Sequence, residues 1–470
     1  SINYRLIEDP VSETIWTCTR DGIGILDENH LAEGFTYISE ISAQKTYSVQ
    51  STMDLTSDGK GNLWALTLNQ GLLHLSTRPS IFQLYDIDNK RITINGINAI
   101  STYDGSHLWI ALAPAGIALF DKNTKTTLYN QEIPGLQGIP YQVINTHANN
   151  MMQKHEDETW IASHGYGIIR VKNGTANIWN NQNCKFVKTN YVKALLTTKR
   201  GITLIGENGW LNYILPSGKV FNQKIDAIVN NIQEDHQNRI WVSTEDKGII
   251  CISGDFEHPS ALRRSHYNLA NQRLDIPDVT NCIEDQHQHI LAISKSGGLY
   301  RYNPERDKFD CISDLFPGKL DRAFSIVEDP TGHIWVTTDD ALIMLSISSK
   351  GNIIYNNYTS EDGLGNMFFQ ANSSFQFGGK VYLGSGKELV CVNTTQAKVP
   401  QGTKSPYNII VTDLLLNDKR FATIDSTIRK EISEQSPSYM RHIVLPPSIY
   451  KFGVEFALLS YNNVKQCKYA

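Results

Sequence analysis

The chain has 470 residues, more than one ordinary domain, and 43 basic against 48 acidic side chains leave it at a formal charge of −5. Lysine and arginine form no clustered stripe, only scattered adjacent pairs such as Arg263 and Arg264, so neither nucleic acid nor an anionic lipid surface is expected as a partner. No apolar run approaches the roughly 18 residues that cross a bilayer, and the opening SINYRLIEDP lacks a charged start followed by an apolar core, so the chain itself is expected to be soluble.

From Leu6 onward one pattern recurs: Glu-Asp, a polar turn, Ile-Trp-Val-Ser/Thr, a second turn, then Gly-Ile/Leu and an alternating apolar run. The aromatic or matching position falls at Trp16, Trp64, Trp109, Trp160, Thr203, Trp241, Leu291, Trp335 and Tyr382, at intervals of 38 to 51 residues. Period-two alternation rich in Val, Ile, Tyr and Trp predicts strands. In the copy around Trp241 these run over 228–233, 239–243 and 247–252, with 234–238 as the first turn. A fourth strand follows in several copies, as at 309–312 and 353–358. Four antiparallel strands at this spacing match the blade of a β-propeller, a sheet that must stack on its neighbours to bury both faces.

Each recurrent residue has a structural reason. Aspartate at the first turn (Asp9, Asp235, Asp285, Asp329) accepts from nearby backbone amides, tryptophan on the second strand fills the space between blades, and its indole N–H needs a local acceptor. Glycine opening the third strand (Gly22, Gly71, Gly116, Gly167, Gly248, Gly298) suits a tight connection. The seven cysteines (18, 184, 251, 282, 311, 391, 467) show no Cys-x-x-Cys pair or zinc spacing and are read as structural.

Nine units exceed one common ring. The last unit ends its third strand at 388–393 and runs into TTQAKVPQGTKSP without a fourth, whereas IFQLYDI at 81–87 has that strand's character. The expectation is therefore an all-β chain in three parts: 1–80 as the last two blades of a preceding propeller, 81–397 as a seven-bladed propeller closed by strand 81–87, and 405–470 as the start of an Ig-like β-sandwich. In the last part, 407–417 and 442–461 are predicted strands, with Phe452, Val454 and Phe456 on one face.

The carboxylate pairs Glu8/Asp9, Glu234/Asp235, Glu284/Asp285 and Glu328/Asp329 resemble acid/base dyads, but a catalytic pair is needed once and these recur with the repeat. His287 and His289 have the spacing of two metal ligands on one strand, yet His236 and His333 stand at equivalent turns without partners, and no metal or cofactor is expected. No phosphate loop, nucleophile elbow or His-Glu-x-x-His helix is present. Propellers bind ligands through loops at one end of the ring, and these carry His164, Tyr166, Asn208, Trp210, Glu245, Asp246, Lys295, Asp339 and Asp340, with Tyr141 in a longer connection. Flat aromatics with charged and amide groups suit a carbohydrate; the plainer reading is that they are polar turns with aromatics packed on neighbouring blades.

The unit Ile-x-Glu-Asp-x-x-Gly-x-Ile-Trp-Val-x-Thr-x-x-Gly-Leu, the insertion EDGLGNMFF (361–369) and the later FALLSY resemble the regulator-propeller repeats and Tyr-rich sandwich of hybrid two-component sensors. That resemblance implies a periplasmic sensor region that detects an oligosaccharide, with a membrane helix, histidine kinase and output module outside this chain and glycan-utilisation genes under its control. It also implies a homodimer through the sandwich and binding without turnover. The alternatives are a glycan lyase or hydrolase, with His164 and Tyr166 the nearest candidates, and a protein-binding scaffold.

Overall fold

Period-two runs of β-branched and aromatic residues become short antiparallel strands throughout a computed structural model of the chain. It describes residues 3–20, 22–27, 36–38, 40–41, 47–48, 51–59, 61–77, 80–87, 94–144, 148–155, 158–316, 320–365, 367–397 and 409–458. The chain divides into two units, one of residues 1–39, 48–78 and 401–470 and the other of 40–47 and 79–400.

The larger unit has the architecture of a β-propeller. Its groups follow the pattern of Gly96–Thr102, His107–Ala113, Ile117–Asp121 and Thr127–Tyr129, in which each strand pairs with the next. Two groups merge into a six-stranded sheet because Thr203–Ile214 and Val220–Glu234 are long strands that each serve two partners. Thr203–Ile214 pairs with Val192–Thr197 as far as Glu207 and with Val220–Glu234 beyond it; the latter strand pairs with Ile240–Thr244 from Val229 onward. The strand predicted over 228–233 is thus the second half of a longer one. Counting this sheet as two groups gives seven, and their first strands lie against one another in succession until the seventh returns to the first.

The seventh group takes its outer strand from the beginning of the unit. Phe82–Asp86 runs antiparallel to Glu388–Asn393, Phe82 opposite Val392 and Asp86 opposite Glu388, and the backbone bonds continue at both ends. One apolar cluster joins Ile97, Ile110 and Phe120 of the first group to Tyr382, Leu389 and Cys391 of the seventh. The other large clusters likewise straddle neighbouring groups, so each blade buries both faces only through its neighbours.

Tryptophan sits in these seams. Trp109, Trp241 and Trp335 are fully buried, and Trp241 meets Tyr302 and Phe309 of the following group edge-on, with ring centroids 5.2 and 5.9 Å away. The acceptor for its indole is the turn aspartate: Trp241 Nε1 donates to Asp235 Oδ2 at 2.8 Å, and Trp335 Nε1 to Asp329 Oδ2 at 2.8 Å. Where leucine replaces tryptophan at 291, Asp285 Oδ2 engages the ring of His289 instead, at 2.8 Å. Gly248 and Gly298 both have positive φ, and a Cβ at either would collide with a backbone carbonyl, of Tyr267 and Leu320 respectively.

In the smaller unit, Asn3–Asp9, Thr14–Thr19, Gly22–Asp27 and Thr36–Ile38 form one four-stranded sheet, and Thr52–Ser57, Asn62–Thr67 and Gly71–Ser76 a three-stranded one. Asp9 Oδ1 accepts from Ser57 and Oδ2 from Thr77, joining the two. A third sheet pairs Ile409–Leu416 with Phe452–Leu458 and Lys419–Arg420, over a cluster containing Leu414, Leu416 and Phe421. The strand predicted from 442 begins only at Phe452. Pro446 and Pro447 donate no backbone hydrogen bond, and Ile449 N–H closes a turn onto the Pro446 carbonyl. Phe452, Val454 and Phe456 are exposed among the described residues.

Candidate functional site at the mouth of the ring

A cavity of about 360 Å³ opens within the larger unit where several first strands begin. It is built by a backbone irregularity. The register of the first strand slips between Ile97 and Ala99, between Val192 and Ala194, and between Val229 and Asn231. Each slip is a bulge that inserts one extra residue, respectively Asn98, Lys193 and Asn230, and all three line the cavity. A longer irregularity between Phe369 and Ser374 contributes Gln370 and Asn372, the latter at a φ of 59°. Asn372 Oδ1 is buried and accepts no hydrogen bond among the described residues.

Ala371 and two loop residues, His164 and Lys295, complete the lining. The His164 ring lies edge-on to Tyr191, centroids 4.7 Å apart, across a backbone bridge between the two residues. Lys193 Nζ reaches Glu245 Oε2 at 2.7 Å and Asn230 Oδ1 at 3.4 Å, while Asn230 Nδ2 donates to the Val279 carbonyl at 3.0 Å. Glu207, buried beside this region, pins the loop before Tyr191: its carboxylate accepts from the amides of Lys188 and Thr189, the Thr189 hydroxyl and Asn212 Nδ2. Burial nevertheless holds its carboxyl above the usual carboxylate range.

Of the eight ligand-binding residues expected from sequence, the cavity gathers His164 and Lys295, with Glu245 at its edge through Lys193. Tyr141 opens a short helix, Tyr141–Ile144, and is exposed away from the lining, as is Tyr166. Asn208 and Trp210 lie on the strand Thr203–Ile214, where Trp210 pairs with Lys224. Asp339 pairs with Arg322 at 3.3 Å, and Arg322 Nε donates to the Lys295 carbonyl at 3.1 Å. Sequence reasoning missed Asn98, Lys193, Asn230, Gln370 and Asn372; the signal was a polar residue just inside the start of an otherwise apolar first strand.

The recurrent carboxylate pairs occupy the opposite ends of those strands, where they act as fasteners. Asp235 Oδ1 accepts from the amides of Gln237 and Arg239, closing its turn. The preceding glutamates reach to the turn of the group before: Glu234 accepts from Lys199 N at 2.6 Å, Glu284 from His236 N at 2.7 Å and Glu328 from Gln286 N at 2.8 Å. The rings of His287 and His289 are 6.2 Å apart, and among the described residues no three His, Cys, Asp or Glu converge as metal ligands. Cys251 is buried, which pushes its thiol up to about 12. Among the described residues no helix is long and apolar enough to cross a membrane.

No family model matches the chain. Histidine kinase P4 of Formosa agariphila is 21% identical over 388 residues, covering 82% of this chain and 24% of that protein, so the chain spans about a quarter of the curated relative. Among solved structures, the extracellular domain of the hybrid two-component system BT3049 of B. thetaiotaomicron superposes with a TM-score of 0.67 at 17% identity, over 97% of this chain and 59% of that one. That of BT4673 from the same organism gives 0.51 at 15% identity, over 93% and 57%. The chain has the all-β, propeller-containing fold of the extracellular domains of hybrid two-component systems.

Proposed function

We propose that this chain is the ligand-sensing part of a hybrid two-component sensor histidine kinase, lying in the periplasm, and that the ring-mouth cavity binds an oligosaccharide whose presence switches glycan-utilisation genes. In this reading 81–397 is a seven-bladed propeller domain, 1–80 holds the last two blades of a preceding one, and 405–470 begins an Ig-like sandwich through which two copies pair. The supporting observation is the convergence of four amide side chains, two lysines and a histidine on one cavity. Such groups offer both donors and acceptors to hydroxyls, and the likeness to extracellular sensor domains agrees with a binding role.

Occupancy can be transmitted only if the ligand prefers one arrangement of the protein over another. The test is a thermal-shift screen of the chain against a panel of oligosaccharides. A ligand at a hundred times its Kd should stabilise the fold by about 2.7 kcal/mol. Stabilisation by one saccharide class without release of product supports sensing. Turnover of that saccharide, or no response to any, defeats the proposal.

A further inference from the structure

Resting on the reading of the cavity as a saccharide site, we propose that its ligand is an acidic oligosaccharide, one bearing carboxylate or sulfate groups, held by Lys193 and Lys295 and admitted by displacement of Glu245. The chain as a whole is acidic, at −5, yet among the described residues lining the cavity none carries a carboxylate and two carry ammonium groups. Lys193 is placed there by the extra residue of a bulge, a local distortion of the ladder that re-aims a side chain. Lys295 comes from the loop after Ile290–Ser294 and has no ion pair among the described residues.

The nearest acid is Glu245, which lies on a separate loop and reaches Lys193 Nζ at 2.7 Å while its side chain remains 52% exposed. An exposed pair of this kind contributes at most about 1 kcal/mol, so a ligand anion that meets both Lys193 and Lys295, where Glu245 meets Lys193 alone, can replace it. Glu245 then acts as an internal stand-in for that anion. The neutral groups Asn98, Asn230 and Gln370 are left to meet the hydroxyls of the same sugar.

The experiment is isothermal titration of the whole chain with three probes of equal length: tetragalacturonate, a sulfated galactotetraose and neutral galactotetraose. An acidic probe should bind and the neutral one bind at least tenfold more weakly, and which acidic probe binds distinguishes carboxylate from sulfate. Affinity should fall severalfold between about 50 and about 300 mM salt. Lys193→Gln and Lys295→Gln should each weaken it by about fivefold, whereas Glu245→Gln should tighten it by a few-fold. Because Glu245→Gln is expected to gain affinity, misfolding cannot imitate that result. Equal or tighter binding of the neutral probe, substitutions without effect, or binding of none of the three overturns the acidic ligand; the sensing reading falls only if the whole oligosaccharide panel is silent as well.

Discussion

Asp235 is fully buried and gathers four donors: the amides of Gln237 and Arg239, the Arg239 guanidinium at 2.6 Å and the Trp241 indole at 2.8 Å. Truncation by Asp235→Ala strands all four, and urea unfolding should show a loss of about 3 kcal/mol, against a smaller loss for Asp235→Asn, which keeps one carbonyl acceptor. Glu158 gives a pH test. Burial raises its carboxyl, but hydrogen bonds from Arg170, Trp160 and Lys172 outweigh this and hold it down to about 2. A carboxylate depressed on folding stabilises the protein above its unfolded value and loses that contribution as pH falls through the folded one. Melting temperature should therefore decline from about pH 4.5 toward pH 2, and Glu158→Gln should flatten that slope while lowering stability near neutrality. The roles of these residues were legible in sequence because the repeat prints them many times. What could not be read was the partner, such as the His289 ring that meets Asp285 where Leu291 has replaced tryptophan.

At the scale of the strand, the bulges decide what faces the cavity. Asn230→Ala should leave stability within about 0.5 kcal/mol of the parent while weakening ligand binding. Deleting Asn230 should remove the bulge while keeping the ladder, because Val229 and Asn231 already face the consecutive residues Thr244 and Ser243, and ligand binding should fall at least as far as in the alanine variant. Unchanged ligand affinity in the deletion variant would contradict this account of the bulge. Strand positions were readable from period-two alternation, but a bulge adds one residue without altering composition, so Asn98, Lys193 and Asn230 read as ordinary strand beginnings. His164 and Lys295 stand in loops, where residues that do not recur with the repeat are conspicuous in the sequence, and both line the cavity. The rings of Tyr141 and Tyr166 suggest sugar platforms, but both are exposed and neither lines the cavity.

At the scale of the molecule, the succession of groups is held shut by Phe82–Asp86 against Glu388–Asn393. Removing residues 81–87 withdraws two buried side chains, Phe82 and Ile87, and opens a sheet edge. The apolar burial alone is worth about 4 kcal/mol, and limited proteolysis should show faster cleavage across the seventh group. The need for an outside strand was visible in sequence as a missing element after Asn393, whereas the merger of two groups into one sheet was not, since it depends on how Thr203–Ile214 continues past Gly209.

That closing contact also has a cost in time. Its two strands are separated by about 300 residues, among the most distant pairings the chain contains, and distant pairings form late. At a synthesis rate of about 10 residues per second, the segment around Phe82 waits about half a minute before its partner exists. Throughout that interval Phe82–Asp86 is an unpaired, partly apolar edge, open to the wrong strand of a neighbouring chain. Yield during production should therefore respond more to conditions that suppress association of nascent chains than to changes in the stability of the finished fold.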